Sequence, residues 1–202
     1  MKHPTLEDFA GFFSTYPEVA EVYGRHLAAV CPACGELLQQ MEALLKRFRH
    51  WDPAIVVGEG LEADDLLDAL LAKGQDFAAW WPEVEKRGEL LSWGVAWVAL
   101  ERASPLLVEE TARPRARELA LLAAAISENL GPCYHVEWIN DLKALAYATV
   151  VVAADPAETS RGAVQARLRH TLAATEALEK GTGSESLATE VWDLLVQSGR
   201  RL

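Results

Sequence analysis

Cysteines, cations and long apolar runs are all scarce in this 202-residue chain, and each scarcity narrows what the chain can do. Cysteine occurs three times, an odd number, and two of the three form a Cys-x-x-Cys pair. That usage argues against a disulfide framework and for a reducing compartment. Cations are outnumbered: 19 Lys and Arg against 30 Asp and Glu leave a net charge of −11. Such a chain repels phosphate, so direct nucleic-acid binding is not expected. The nearest basic run, Arg113, Arg115 and Arg117, is too small to reverse the balance. A partner with a basic surface fits better. The longest apolar stretch, Ala144 to Ala154, contains Tyr147 and Thr149 and is too short to span a bilayer. Met1-Lys2-His3-Pro4 leads directly into polar sequence, so no secretory leader is expected and a cytoplasmic location is.

Catalytic signatures are missing too. There is no glycine-rich phosphate loop, no nucleophile elbow and no Ser-His-Asp set, and none of the five histidines sits in a catalytic context. A non-enzymatic protein is expected. The only β-branched cluster, Val150-Val151-Val152, lies in alanine-rich flanks that keep it in a helical period. The expected fold is therefore all-α.

The helical pattern starts at once. Residues 4 to 14 read as a helix in which Thr5 caps and Asp8 occupies the third helical position, a capping box. Pro17 opens a second helix, with Val19, Val22, Tyr23 and Leu27 inward, and Pro32 opens a third that runs to about His50. Trp51 to Gly60 breaks the pattern and reads as a linker. A short helix over Leu61 to Leu71 follows, then a series of hairpin helices expected over Glu83–Ala103, Ala116–Leu130, Val136–Ala154, Glu158–Glu179 and Glu185–Gln197. This gives a small module over 1–50, a connecting stretch over 51–82 and a helical-hairpin domain over 83–202.

Chemistry concentrates in His26-Leu27-Ala28-Ala29-Val30-Cys31-Pro32-Ala33-Cys34. Zinc takes four nitrogen or sulfur ligands in a tetrahedron, and a Cys-x-x-Cys turn supplies one edge of it. With Pro32 at the first helical position, Cys31 becomes the N-cap and Cys34 the third residue. Both sulfurs then lie beside the unpaired N–H groups of the helix start, which favours thiolate. His26 precedes Cys31 by five residues, a rotation of about 140° on a continuous helix. The chain must break near Val30 for the imidazole to join the sulfurs. His3 is the first candidate for the fourth ligand; His50 and a carboxylate are the alternatives. The competing reading of Cys31 and Cys34 is a redox pair or two buried thiols, although the strand–helix unit usual for a redox pair is missing.

The order His3, helix, second helix ending in His26-Leu27, then Cys31-Pro32-x-Cys34 resembles the zinc-binding anti-sigma family over about residues 1 to 50. The resemblance implies a small helical domain that binds Zn2+ through His3, His26, Cys31 and Cys34 and clamps a sigma factor. Here four residues separate His26 from Cys31, where the family usually has three. The second half is similar to tetratricopeptide-like proteins, one hairpin over Trp93 to Pro132 and another over Trp138 to Leu178, with Ala146 as the small residue that close helix packing requires. Such repeats bury their faces only by stacking, and the last helix would be a cap or half-repeat.

Three functions follow as expectations. The first is a zinc-stapled regulatory protein that sequesters or scaffolds a partner, with a sigma factor the leading candidate. The second is a helical adaptor in which zinc only stabilises the N-terminus. The third is a thiol-based sensor that ejects zinc and releases its partner on oxidation. Trp93 and Trp97, four apart and hence on one helix face, serve either as packing between hairpins or as a partner-binding aromatic groove. Cys133 and His135 read as a helix-start thiol and an exposed imidazole, His170 as a solvated or core-edge residue, and Asp64, Asp65 and Asp68 as a solvated face.

Overall fold

The computed structural model describes residues 5, 6, 8, 29–47 and 58–199. The helix expected from Pro17, most of that over 4–14, and His3, His26 and His50 lie outside the described residues. All the regular structure described is helical, with no strand among the described residues. The helices are α1 (Pro32–Arg47), α2 (Ala63–Leu71), α3 (Phe77–Lys86), α4 (Trp93–Leu106), α5 (Arg113–Glu128), α6 (Val136–Ala153), α7 (Arg161–Glu179) and α8 (Glu185–Gly199). No described helix is long and apolar enough to cross a membrane. The chain divides into two compact units, residues 1–64 and 65–202, with the boundary inside α2.

In the first unit, Thr5 and Asp8 form the reciprocal pair expected of them. The Thr5 N–H donates to Asp8 Oδ2 at 2.9 Å, and the Asp8 N–H donates to Thr5 Oγ1 at 3.1 Å. These bonds hold the Asp8 carboxyl below its ordinary range. Helix α1 buries Cys34, Leu38 and Met41, a stripe at four- and three-residue spacing. Its last residue, Arg47, donates to both carboxylate oxygens of Asp64, at 2.6 and 3.2 Å. Asp64 is therefore an ion-pair partner rather than part of a solvated face.

In the second unit, the single helix expected over Glu83–Ala103 is two helices. Asp76 caps α3, accepting from the Ala79 N–H at 3.0 Å. Helix α3 ends at Lys86, and a 3-10 turn over Gly88–Leu90 follows. Ser92 then caps α4 by accepting from the Val95 N–H at 3.2 Å. Two short polar residues, each able to satisfy the first orphan N–H groups of a helix, turn one apparent period into two elements. Pro105 lies within α4, in its last turn. Pro114 lies at the start of α5, where its missing N–H costs nothing.

Helix α6 is the centre of this unit. It packs against α5 and α7, its neighbours in sequence, and also against α4 and α8. Its composition explains the position: residues from Leu142 to Ala153 are apolar nearly all round and nearly all buried. Ala146, fully buried, is the small residue that close helix approach requires. The turn between α7 and α8 is pinned to α6. The buried carboxylate of Asp141 accepts from the Thr182 N–H at 3.0 Å and from the Thr182 hydroxyl at 2.6 Å, and the Asn140 side chain donates to the Lys180 carbonyl at 3.0 Å. Gly181 is needed there because a Cβ would fall 2.0 Å from Asp141 Oδ1, and Gly183 because its φ is +76°. Asp141→Ala leaves the Thr182 N–H without its charged acceptor, so urea denaturation should report a loss of about 2 kcal/mol. Asp141→Asn, which keeps one acceptor oxygen, should lose less.

Candidate metal centre

The two cysteines stand where the helix start places them. Residues 29 and 30 are helical, Cys31 is not, and α1 begins at Pro32. The break required near Val30 thus falls at Cys31. The first bond of the new helix runs from the Gly35 N–H to the Cys31 carbonyl at 3.0 Å, which makes Cys31 the N-cap and Cys34 the third helical residue. Proline at the first position fixes this register, since its ring suits the helical φ and has no N–H to waste.

The sulfurs differ in character. Cys31 is partly exposed, and its thiol is held below the ordinary value of 9.0 first by the Cys34 backbone N–H and then by the Cys34 thiol, with the Ala33 N–H adding to them. Cys34 is 4% exposed, and burial pushes its thiol up, with the neighbouring Cys31 sulfur reinforcing the shift. One thiolate-prone sulfur and one buried thiol share a helix N-terminus, and neither is in a disulfide. Two sulfurs three residues apart at a helix start are donors of the type a soft divalent cation takes. Among the described residues no three His, Cys, Asp or Glu side chains gather in one place. The two imidazoles of the expected set, His3 and His26, lie outside those residues.

The other residues singled out have structural places. Trp93 and Trp97 stack in parallel, with ring centroids 4.9 Å apart and planes 5° apart. Trp93 is buried and Trp97 keeps some surface. His135 occupies the N-cap position of α6 and meets Trp138 edge-on at 4.7 Å, while Cys133 is exposed. Asp68 pairs with Arg102. Of the run Arg113, Arg115, Arg117, Arg115 stands apart from the other two. Arg113 donates to the Leu107 carbonyl at 3.3 Å, and Arg115 lies over the Trp80 ring at 4.4 Å and donates to the Gln75 carbonyl.

Arg117 lines a cleft of about 480 Å³ with Arg113, Asp155, Arg167 and His170. The His170 ring stacks on Tyr147 at 5.7 Å, and the Tyr147 hydroxyl donates to Glu128. Burial raises the Tyr147 pKa, and the Glu128 carboxylate adds to the rise. Burial also lowers the His170 pKa from 6.5, and Arg117 and Arg169 lower it further. The folded state therefore prefers the neutral ring. Its stabilising contribution is complete above pH 6.5 and is lost as pH falls through the lower folded value. His170→Phe, which keeps the stack, should flatten the drop in Tm between about pH 7.5 and pH 5.

Sequence reasoning missed the ion pairs and the Asp141 latch, since their partners lie 17 to 41 residues apart. Compared with protein-family models, curated proteins and solved structures, the chain returns no match.

Proposed function

We propose that this chain is a non-enzymatic regulatory protein in which a structural zinc ion staples an N-terminal helical module that engages another protein. Cys31 and Cys34 would hold the ion, with His26 and His3 completing a tetrahedron. Bound there, zinc supplies cross-linking energy and no chemistry of its own. The observation that supports the reading is the placement of Cys31 at the N-cap and Cys34 at the third position of α1, with the helix-start N–H groups of Ala33 and Cys34 turned to the Cys31 sulfur. The resemblance to zinc-binding anti-sigma proteins makes a sigma factor the leading partner. The net charge of −11 favours a basic partner surface over nucleic acid.

The second unit fits a tetratricopeptide-like scaffold. The supporting observation is its packing pattern: each helix from α4 onward touches the next, and α4 and α8 both touch α6. In a stack of helical hairpins the first helix of each hairpin meets the first helix of the next. A partner that settles on this unit would meet Trp97 rather than the buried Trp93.

The test is co-expression of the full chain with the sigma factor encoded nearest to it. A stable complex that is lost in Cys31→Ser and kept in Trp97→Ala supports sequestration by the zinc module. The reverse pattern supports an adaptor in which zinc is only structural. A complex that dissociates with zinc release under mild peroxide supports the sensor reading, which the partial exposure of Cys31 favours.

A further inference from the structure

Helix α7 is amphipathic in reverse. Ala163, Ala166, Ala174 and Ala177 line one face, with Ala174 and Ala177 buried where α7 packs on α6. Three large apolar residues are on the opposite face: Val164, Leu168 and Leu172 are 47%, 58% and 52% exposed. They recur every four residues, so they form one stripe along the helix. Small residues toward the core and large ones toward water is the inverse of an ordinary surface helix.

The ends of the stripe carry opposite charges. Arg161 lies seven residues before Leu168, and Glu179 lies seven residues after Leu172. Seven residues are close to two turns, so both charges fall on the line of the leucines. The helix thus reads cation, leucine, leucine, anion, with equal spacing about a midpoint at residue 170.

From this symmetry we infer that a second copy of the chain docks on the stripe, α7 against α7, antiparallel, about a two-fold axis at the level of residue 170. A two-fold contact requires that when residue i faces j, j also faces i. Here Arg161 faces Glu179 of the second copy, Val164 faces Glu176, Gln165 faces Thr175, and Leu168 faces Leu172, each pair equidistant from the midpoint. The antiparallel direction sets the basic start of one helix beside the acidic end of the other. Beside the stripe, a groove of about 350 Å³ between α6, α7 and Ser198 of α8, lined by Val151, Val164, Leu168 and Thr171, gives the opposing leucines room. The contact involves no residue of the metal centre and forms with or without zinc.

Sedimentation equilibrium of the full chain tests the inference. The wild type should be a dimer, and Leu168→Asp a monomer. Arg161→Glu and Glu179→Arg should each weaken the dimer about tenfold, because each turns two attractive pairs into repulsive ones. The double variant Arg161→Glu/Glu179→Arg restores opposite signs across the axis and should recover the dimer. Circular dichroism checks that the variants fold, and if Leu168→Asp loses helicity the charge exchange decides alone. A wild type that stays monomeric up to submillimolar concentration would overturn the inference and leave the stripe to a foreign helix or another segment of the chain. A dimer indifferent to the single reversals, or one the double variant fails to recover, would overturn it equally.

Discussion

Cys34→Ala should arrive from expression without stoichiometric zinc, and its N-terminal module should fail to fold while the helical second unit melts as before. Cys34 is the buried member of the sulfur pair and shares its stripe with Leu38 and Met41. On the proposed zinc reading, the substitution removes both a ligand and the anchor that would turn the ion toward the core. Zinc contributes on the order of 10 kcal/mol or more to modules of this kind, far above what a short helical segment gains from its own apolar surface. Metal analysis gives the stoichiometry, and a thermal scan followed by circular dichroism separates the two units. The wild type with chelator should reproduce the variant, and Cys31→Ser should behave alike. A variant that retains one zinc per chain, or a chelated wild type with both transitions intact, would remove the metal from the account.

The largest effect in the second unit is expected at Trp80. Its side chain is fully buried, its indole N–H donates to the Gly74 carbonyl at 3.0 Å, and the Arg115 guanidinium covers its ring at 4.4 Å. Trp80→Ala opens a cavity that its neighbours fill only in part, and the expected loss is about 3–5 kcal/mol. Trp80→Phe keeps most of the volume and an aromatic face for Arg115 but leaves the Gly74 carbonyl without its donor. It should cost about 1–2 kcal/mol. Chemical denaturation of the two variants separates the terms. Equal losses would mean that the hydrogen bond, not the volume, holds α3 in place.

What could be read in advance and what could not divide along physical lines. Thr5 with Asp8, Pro32 at a helix start and Gly181 at a helix stop each act within a few residues, and each was legible. The all-helical class followed from periodicity, which is also local. Helix α3 escaped because a helix was expected to open only at Glu83, whereas Asp76 caps it seven residues earlier and Pro82 lies inside it. Asp64, Asp68 and Asp141 were the residues least legible in their roles. Their partners, Arg47, Arg102 and Thr182, are chosen by tertiary packing, and no spacing rule points to them. The sulfur pair of the candidate site was legible for the same reason as the caps: four consecutive residues and one proline determine it. Trp93 and Trp97 could be assigned to one face by their spacing, but that spacing does not tell a core face from an open one.

The alanine-lined contact between α6 and α7 limits how this chain can diverge. Helix axes approach as closely as the side chains between them allow, and four small residues allow the closest approach. A larger residue at Ala174 or Ala177 would wedge the pair apart and carry the pinned turn at residue 182 with it. In a randomised library selected for folding alone, variation would therefore accumulate on the outward side of α7 while the seam stayed closed to everything but glycine, alanine and serine.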